Sequence, residues 1–389
     1  MLVMIEALLV ALKLGVTSFG GPVAHLGYFH HEFVVRRRWL DDAAYGELLG
    51  LGQCLPGPTS SQLILGIGTA RGGILTGIAA WVGFALPSAL VMMGAAWVVQ
   101  SLPPGYDHFL GGLKVVALVV VAQAVLSMGK SMAKEQITAS IAFLTAGLVI
   151  CWPSPLLPVA LLLLSGVLGR VLKLSPVSGL ADLVSTPIPL SKTAGVIFLT
   201  AFAVMAFLLP VLRSLELSPL FALADAFFRP GALVFGGGHI VLPLLDKEVV
   251  SSGWVTKDSF LSGYGLAQAL PGPLFTFAGY LGWIVQGPAG ALVALVSIFL
   301  PGFLLFLGVL PFWSSLMRRQ GWRSALAGIN ASVVGLLGAA LWNPIARTAL
   351  TTGWDFALAA LLFVALTQFK VPVWLIVIAG VIGQTLKGA

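Results

Sequence analysis

Two short stretches of this chain have the chemistry to hold a small anion, and they are nearly the same stretch. Residues 50 to 58 read GLGQCLPGP and residues 265 to 273 read GLAQALPGP, with seven of nine positions matching. Proline has no N–H to donate to a helix and its ring clashes with the preceding turn. Pro56-Gly57-Pro58 and Pro271-Gly272-Pro273 therefore each break a helix. The half-helix after such a break opens with free backbone N–H groups and the positive end of its dipole, which favours an anion. Thr59, Ser60, Ser61 and Gln62 add side-chain donors at the first break, whereas only Thr276 stands close by at the second. Gln53 and Gln268 sit three residues before the first proline of each break. A single break reads as a kink; two in matching frames read as a binding site.

Other residues gather round this pair. Phe19-Gly20-Gly21 and Phe235-Gly236-Gly237 end the apolar segments upstream, where glycine offers a tight turn or a nest of N–H groups. Lys13 and Arg229 each lie six residues before the phenylalanine of that motif, inside an apolar segment. A cation there costs at least about 2.5 kcal/mol on insertion, so both are candidates for the anion path; snorkelling to the interface is the plainer alternative. Arg229 has Asp225 four residues earlier, and Lys13 has Glu6 seven earlier. Arg71 closes the first half-helix, either as a second anion ligand or as a flanking loop charge. Glu47, Glu32 and Glu248 are titratable; the last two read first as surface ion-pair residues. His25 and His239, just after the glycine motifs, read as hydrogen-bonding groups. No Walker motif, catalytic triad or metal-ligand spacing is present, and Cys54 and Cys151 both lie in apolar segments. No cofactor and no enzymatic activity are expected.

Elements that position these residues must sit in a bilayer. The chain has 389 residues, 58% hydrophobic and only 9% charged, against about 25% charged in soluble domains. The net charge of +7 comes from basic residues scattered between apolar runs, the pattern that sets membrane orientation and not one that binds nucleic acid. The first apolar segment reads as a retained helix, not a cleaved signal. Glu32 answers Glu248, Trp39 answers Trp254 and Pro87 answers Pro301, at offsets of 214 to 216. The chain is thus a duplication: a first repeat over 1–174, a linker over 175–217 holding one extra span, and a second repeat over 218–389. Counting about 20 apolar residues per span gives about 13 membrane segments in an all-α polytopic protein with broken helices. The odd linker span favours inverted halves. The basic, apolar-rich stretch 22–38 suits the membrane surface.

Phe19-Gly20-Gly21-Pro22, the basic segment with Trp39, GLGQCLPGPTSSQL, FGGGHIVLPLL and GLAQALPGP together resemble the chromate transporter family, across most of the chain. The resemblance implies a two-domain member in the bacterial inner membrane that exports chromate, with sulfate as the similar oxyanion and proton-motive force as the energy source. It also implies that Gly20, Gly21, Gln53, Pro56, Gly57, Pro58, Gly236, Gly237, Gln268, Pro271, Gly272 and Pro273 belong to the family signature. A sulfate exchanger and an anion channel are the alternatives; a chromate reductase is disfavoured by the lack of cofactor motifs. Oligomeric state, monomer or homodimer, stays open.

Overall fold

The computed structural model describes residues 1–19, 21–101, 107–152, 154, 157–174, 190–234, 241–313, 316 and 320–388. All regular structure among them is helical. In chain order the helices are α1 (Leu2–Thr17), α2 (Gly21–Phe29), α3 (Asp42–Cys54), α4 (Thr59–Gly72), α5 (Ile74–Ser101), α6 (Asp107–Met132), α7 (Gln136–Cys151) and α8 (Leu157–Val171). There follow α9 (Lys192–Ser214), α10 (Pro219–Leu233), α11 (Val241–Leu245), α12 (Lys257–Ala269), α13 (Phe277–Val309), α14 (Gln320–Ala340), α15 (Gly353–Thr367) and α16 (Val373–Gly388). Among the described residues, five apolar helices are long enough to cross a membrane, and four more apolar helices have 10–17 residues. Large hydrophobic side chains such as Phe143, Phe207 and Leu361 lie fully on the outside. That surface is stable in lipid and not in water.

The chain folds into two compact units, each drawing on both halves of the sequence. The first comprises residues 1–94, 178–241 and 271–319. Within it α1 packs on α5 and α10 on α13, and the two pairs meet by the same device. Pro87 and Pro301 interrupt the hydrogen bonding of α5 and α13. The carbonyls just before each proline face a glycine on the partner helix. A Cβ on Gly15 would lie 2.5 Å from the Phe84 oxygen, and one on Gly231 would strike the Ile298 oxygen. Only glycine permits so close a backbone approach. The linker helix α9 packs on α10 and α13. The long run Leu274–Phe312 bends at Gln286–Gly287, where the backbone leaves helical geometry.

The second unit comprises residues 95–177, 242–270 and 320–389. Here α14 packs on α7 and α8, and α6 packs on α12, α15 and α16. Lys114 pairs with Asp258 at 2.5 Å, and the buried hydroxyls of Thr145 and Ser332 meet at 3.1 Å. Asp355 caps α15 and accepts a 2.6 Å bond from Gln384.

Both halves also carry a π-helical stretch at matching places, His30–Arg36 after α2 and Asp246–Val250 after α11. Nothing in the sequence periodicity anticipates either.

Candidate functional site

Both Pro-Gly-Pro breaks lie in the first unit. At the first, α3 ends at Cys54 and α4 starts at Thr59, with Gly57 at φ +127°. At the second, α12 ends at Ala269 and a short 3-10 turn, Leu274–Thr276, leads into α13, with Gly272 at φ +98°. Each break is held by the other half of the sequence. The Gly57 N–H donates to the Val234 carbonyl at 2.6 Å, where α10 ends. The Gly272 N–H donates to the Ser18 carbonyl at 3.3 Å, where α1 ends. Gly57 lies against Gly302, just after Pro301, and Gly272 lies against Ser88, just after Pro87. The crossed arrangement satisfies backbone groups that a broken helix would leave bare.

The donors expected of the first break divide into two sets. Gln62 is fully buried, and its amide donates to the Pro56 carbonyl at 2.8 Å and the Gly302 carbonyl at 3.0 Å. It braces the break and has no N–H left for a ligand. Thr59 donates to the Gly52 carbonyl at 3.1 Å. Ser60 and Ser61 are buried in the first turn of α4, and the Ser61 Oγ has no hydrogen-bond partner among the described residues. No side chain caps α4, and Pro58 N-caps it without an N–H of its own. At the second break the Thr276 hydroxyl bonds back to the Pro273 carbonyl at 2.9 Å. Gln53 is exposed, whereas Gln268 is half-buried and bonds the buried Tyr264.

The expected cations part company as well. Arg229 donates to Asp225 at 2.6 Å, and Arg213 of α9 reaches the same oxygen at 3.1 Å. Asp225 itself is 1% exposed. Arg213 is absent from the sequence reading, because nothing in the spacing ties the end of a linker helix to α10. Lys13 is exposed and pairs with no carboxylate among the described residues. Its expected neighbour Glu6 instead pairs with Arg37 at 2.9 Å and Arg71 at 3.8 Å. Arg71 is accordingly not at the break. It closes α4 roughly 16 Å along the helix from Ser60, and its guanidinium lies over the Trp39 ring at 5.3 Å. Arg37 flanks the same ring at 5.7 Å and shares Glu32 with Arg36. Burial pushes the Glu32 carboxyl up, but hydrogen bonds from Arg37 and Arg36 outweigh it and hold it below the ordinary carboxylate range.

Gly21 stands at the start of α2 with φ +74°. Gly20, Gly236 and Gly237 lie outside the described residues, as does His239. Glu47 is buried in α3, and the described residues hold no cluster suited to a metal ion.

A family profile described as "Chromate transporter" matches residues 5–170 and again 221–384. A chromate transport protein of Pseudomonas aeruginosa is 28% identical over 380 residues, 95% of this chain and 88% of its own. A probable chromate transport protein of Synechococcus elongatus is 29% identical over 336 residues, 85% of this chain and 81% of its own. An uncharacterised transporter of Bacillus subtilis is 30% identical over 167 residues, 41% of this chain but 92% of its own. No solved structure matches the chain.

Proposed function

The chain belongs to the chromate transporter family, and from that premise we propose that it is a secondary transporter, not an enzyme, exporting chromate across the bacterial inner membrane. Proton-motive force drives the export in this reading. The halves form inverted repeats, about 13 membrane segments in all. The observation that carries the reading is the pair of helix breaks held crosswise in one unit. The Thr59 and Ser60 N–H groups at the start of α4 and the Ser61 hydroxyl, which has no partner among the described residues, suit the oxygens of a tetrahedral dianion. Neutral donors suit a carrier, since they hold the anion less tightly than a cluster of arginines would and so permit release. Lys13 and Arg229 supply compensating charge, each five residues before the carbonyl, Ser18 or Val234, that holds a break; Arg229 also pairs with Asp225.

Uptake of chromate into everted membrane vesicles tests the function directly. Uptake is expected to require energisation, to compete with sulfate and to collapse with an uncoupler. Uncoupler-insensitive flux down the gradient would instead mark an anion channel.

A second expectation concerns the hydroxyls. Ser61→Ala removes a buried group that has no partner among the described residues, so folding stability should hold. Its loss from the bound state should cost about 1.5–3 kcal/mol, roughly ten- to a hundredfold in apparent chromate affinity. Ser60→Ala with Ser61→Ala should do at least as much. Thr276→Val, which removes a hydroxyl spent on its own turn, should change affinity little. Transport kinetics at matched expression decide: equal effects at both breaks would leave the serines as packing residues.

A further inference from the structure

His25 adjoins the segment that holds the second break. It is 1% exposed, on α2, and its Nε2 lies 3.1 Å from the Ser18 carbonyl. A carbonyl only accepts, so that nitrogen carries hydrogen. In the neutral ring Nδ1 is then a bare lone pair, and it is buried with no partner among the described residues. The ring is fixed from two sides, stacked on Phe29 at 6.2 Å and edge-on to Phe84 at 5.2 Å. The Ser18 carbonyl that fixes its tautomer is the same one that receives the Gly272 N–H of the second break. The Ser18 hydroxyl beside it is also buried and unpartnered. The ring and the Ser18 hydroxyl therefore flank the carbonyl that holds the second break, with Nδ1 on the side of the ring away from that oxygen.

An unpaired acceptor repels an oxyanion, and a protonated one attracts it. We propose that Nδ1 of His25 takes up the proton that accompanies the oxyanion through the second break. The inference rests on the transport reading above and specifies its coupling. Protonation turns Nδ1 from acceptor to donor and adds one positive charge, so proton and dianion bind best together. An Nδ1–H bond forms as an O–H bond of hydronium breaks when the anion enters, and the reverse exchange returns the proton to water when the anion leaves. One net negative charge then moves outward per cycle, so the electrical component of the proton-motive force drives export while the pH gradient opposes it. The half-two counterpart of His25, at the offset of 216, is Val241, so this function belongs to one break only.

Several of the titratable groups on the surrounding elements are already engaged. Helix α5 carries no charged or histidine side chain between 74 and 101. On the other elements around α2 the charged groups are Glu6 and Lys13 on α1, Arg71 on α4, and Asp42 and Glu47 on α3. Its own π-helical continuation adds His30, His31, Glu32 and Arg36. Glu6, Glu32, Arg36 and Arg71 belong to the ion-pair cluster at Trp39, and His30 pairs with Asp42 at 2.6 Å. Tyr45 of α3 donates to the Leu26 carbonyl.

The test uses the full chain in proteoliposomes, with chromate flux and internal pH read together. The wild type should move about one proton per chromate, as one titratable nitrogen allows. His25→Gln can keep an amide N–H on the Ser18 carbonyl while deleting the titratable lone pair. It should transport chromate with a proton-to-chromate ratio near zero, and flux should no longer fall as pH rises. His25→Phe, which preserves the stacking on Phe29 and Phe84, gives the same readout should the glutamine variant fail to elute like wild type. An unchanged ratio in either variant overturns the proposal. So does wild-type chromate flux without protons, a result that leaves the transport reading standing. Absence of chromate flux in the wild type would fail that reading instead.

Discussion

Asp225→Ala is expected to destabilise the protein by about 3–5 kcal/mol, more than loss of either arginine that binds it. The carboxylate is almost wholly buried and one oxygen serves both Arg213 and Arg229. Its removal takes from two cations on neighbouring helices the one carboxylate oxygen they share. Arg229→Gln, by contrast, leaves the Arg213 pair intact and removes a charge that is costly within a span. It should therefore insert normally and lose transport only in part. Lys13→Gln, with no pair to break, should leave stability untouched. Thermal unfolding in detergent, read alongside yield in the membrane, separates these outcomes. A melting temperature for Asp225→Ala equal to wild type, or Arg229→Gln as damaging as Asp225→Ala, would mean that the triad is not structural.

Gly57→Ala should abolish chromate transport where Gly272→Ala only impairs it. Both positions have φ in the region that L side chains avoid, at a cost of about 1–2 kcal/mol. The obstacles differ. A Cβ on Gly57 meets the Gln62 amide nitrogen at 2.5 Å and the Gly302 Cα at 2.9 Å. The first would be driven off the Pro56 and Gly302 carbonyls, and the second is backbone. A Cβ on Gly272 meets chiefly the Ser88 Oγ at 2.8 Å, a hydroxyl that can rotate away. Overpacking adds about 1–3 kcal/mol where nothing can yield. Gly94→Ala, with nothing within 4 Å of the added carbon, is the control and should gain slightly from helix propensity. Rates at equal membrane content are the measurement; active Gly57→Ala would show that the break tolerates a side chain.

Much of this was readable from residues alone. The two breaks follow from proline and glycine chemistry, which acts locally, and the duplication from their matched spacing; the bend at Gln286–Gly287 was not anticipated. What escaped was partnership over distance. Gln62 reads as a ligand donor because its type and position suit one, yet Gly302, 240 residues away, claims it. Arg71 reads as an equal choice between ligand and flanking charge, and Glu6 and Trp39 decide it. Glu6 sits two turns from Lys13 on one helix but pairs with Arg37 instead. The exchange of segments between halves in each compact unit leaves no trace in periodicity, because hydropathy records burial and not the identity of the neighbour.

The bond from Gln62 to Gly302 also has a meaning for synthesis. At about 5–20 residues per second, a ribosome needs roughly ten to fifty seconds to make the intervening chain. For that interval the nascent first half sits in the bilayer with the Gly57 N–H lacking its native acceptor and the Gln62 amide lacking one of its two. Such bare polar groups are costly in hydrocarbon, so something must shelter them until the later helices emerge: water, lipid headgroups or the insertion machinery. The protein's biogenesis is thereby tied to its translation rate, and slowing elongation between α5 and α10 should lower the yield of correctly assembled protein even though no residue has changed.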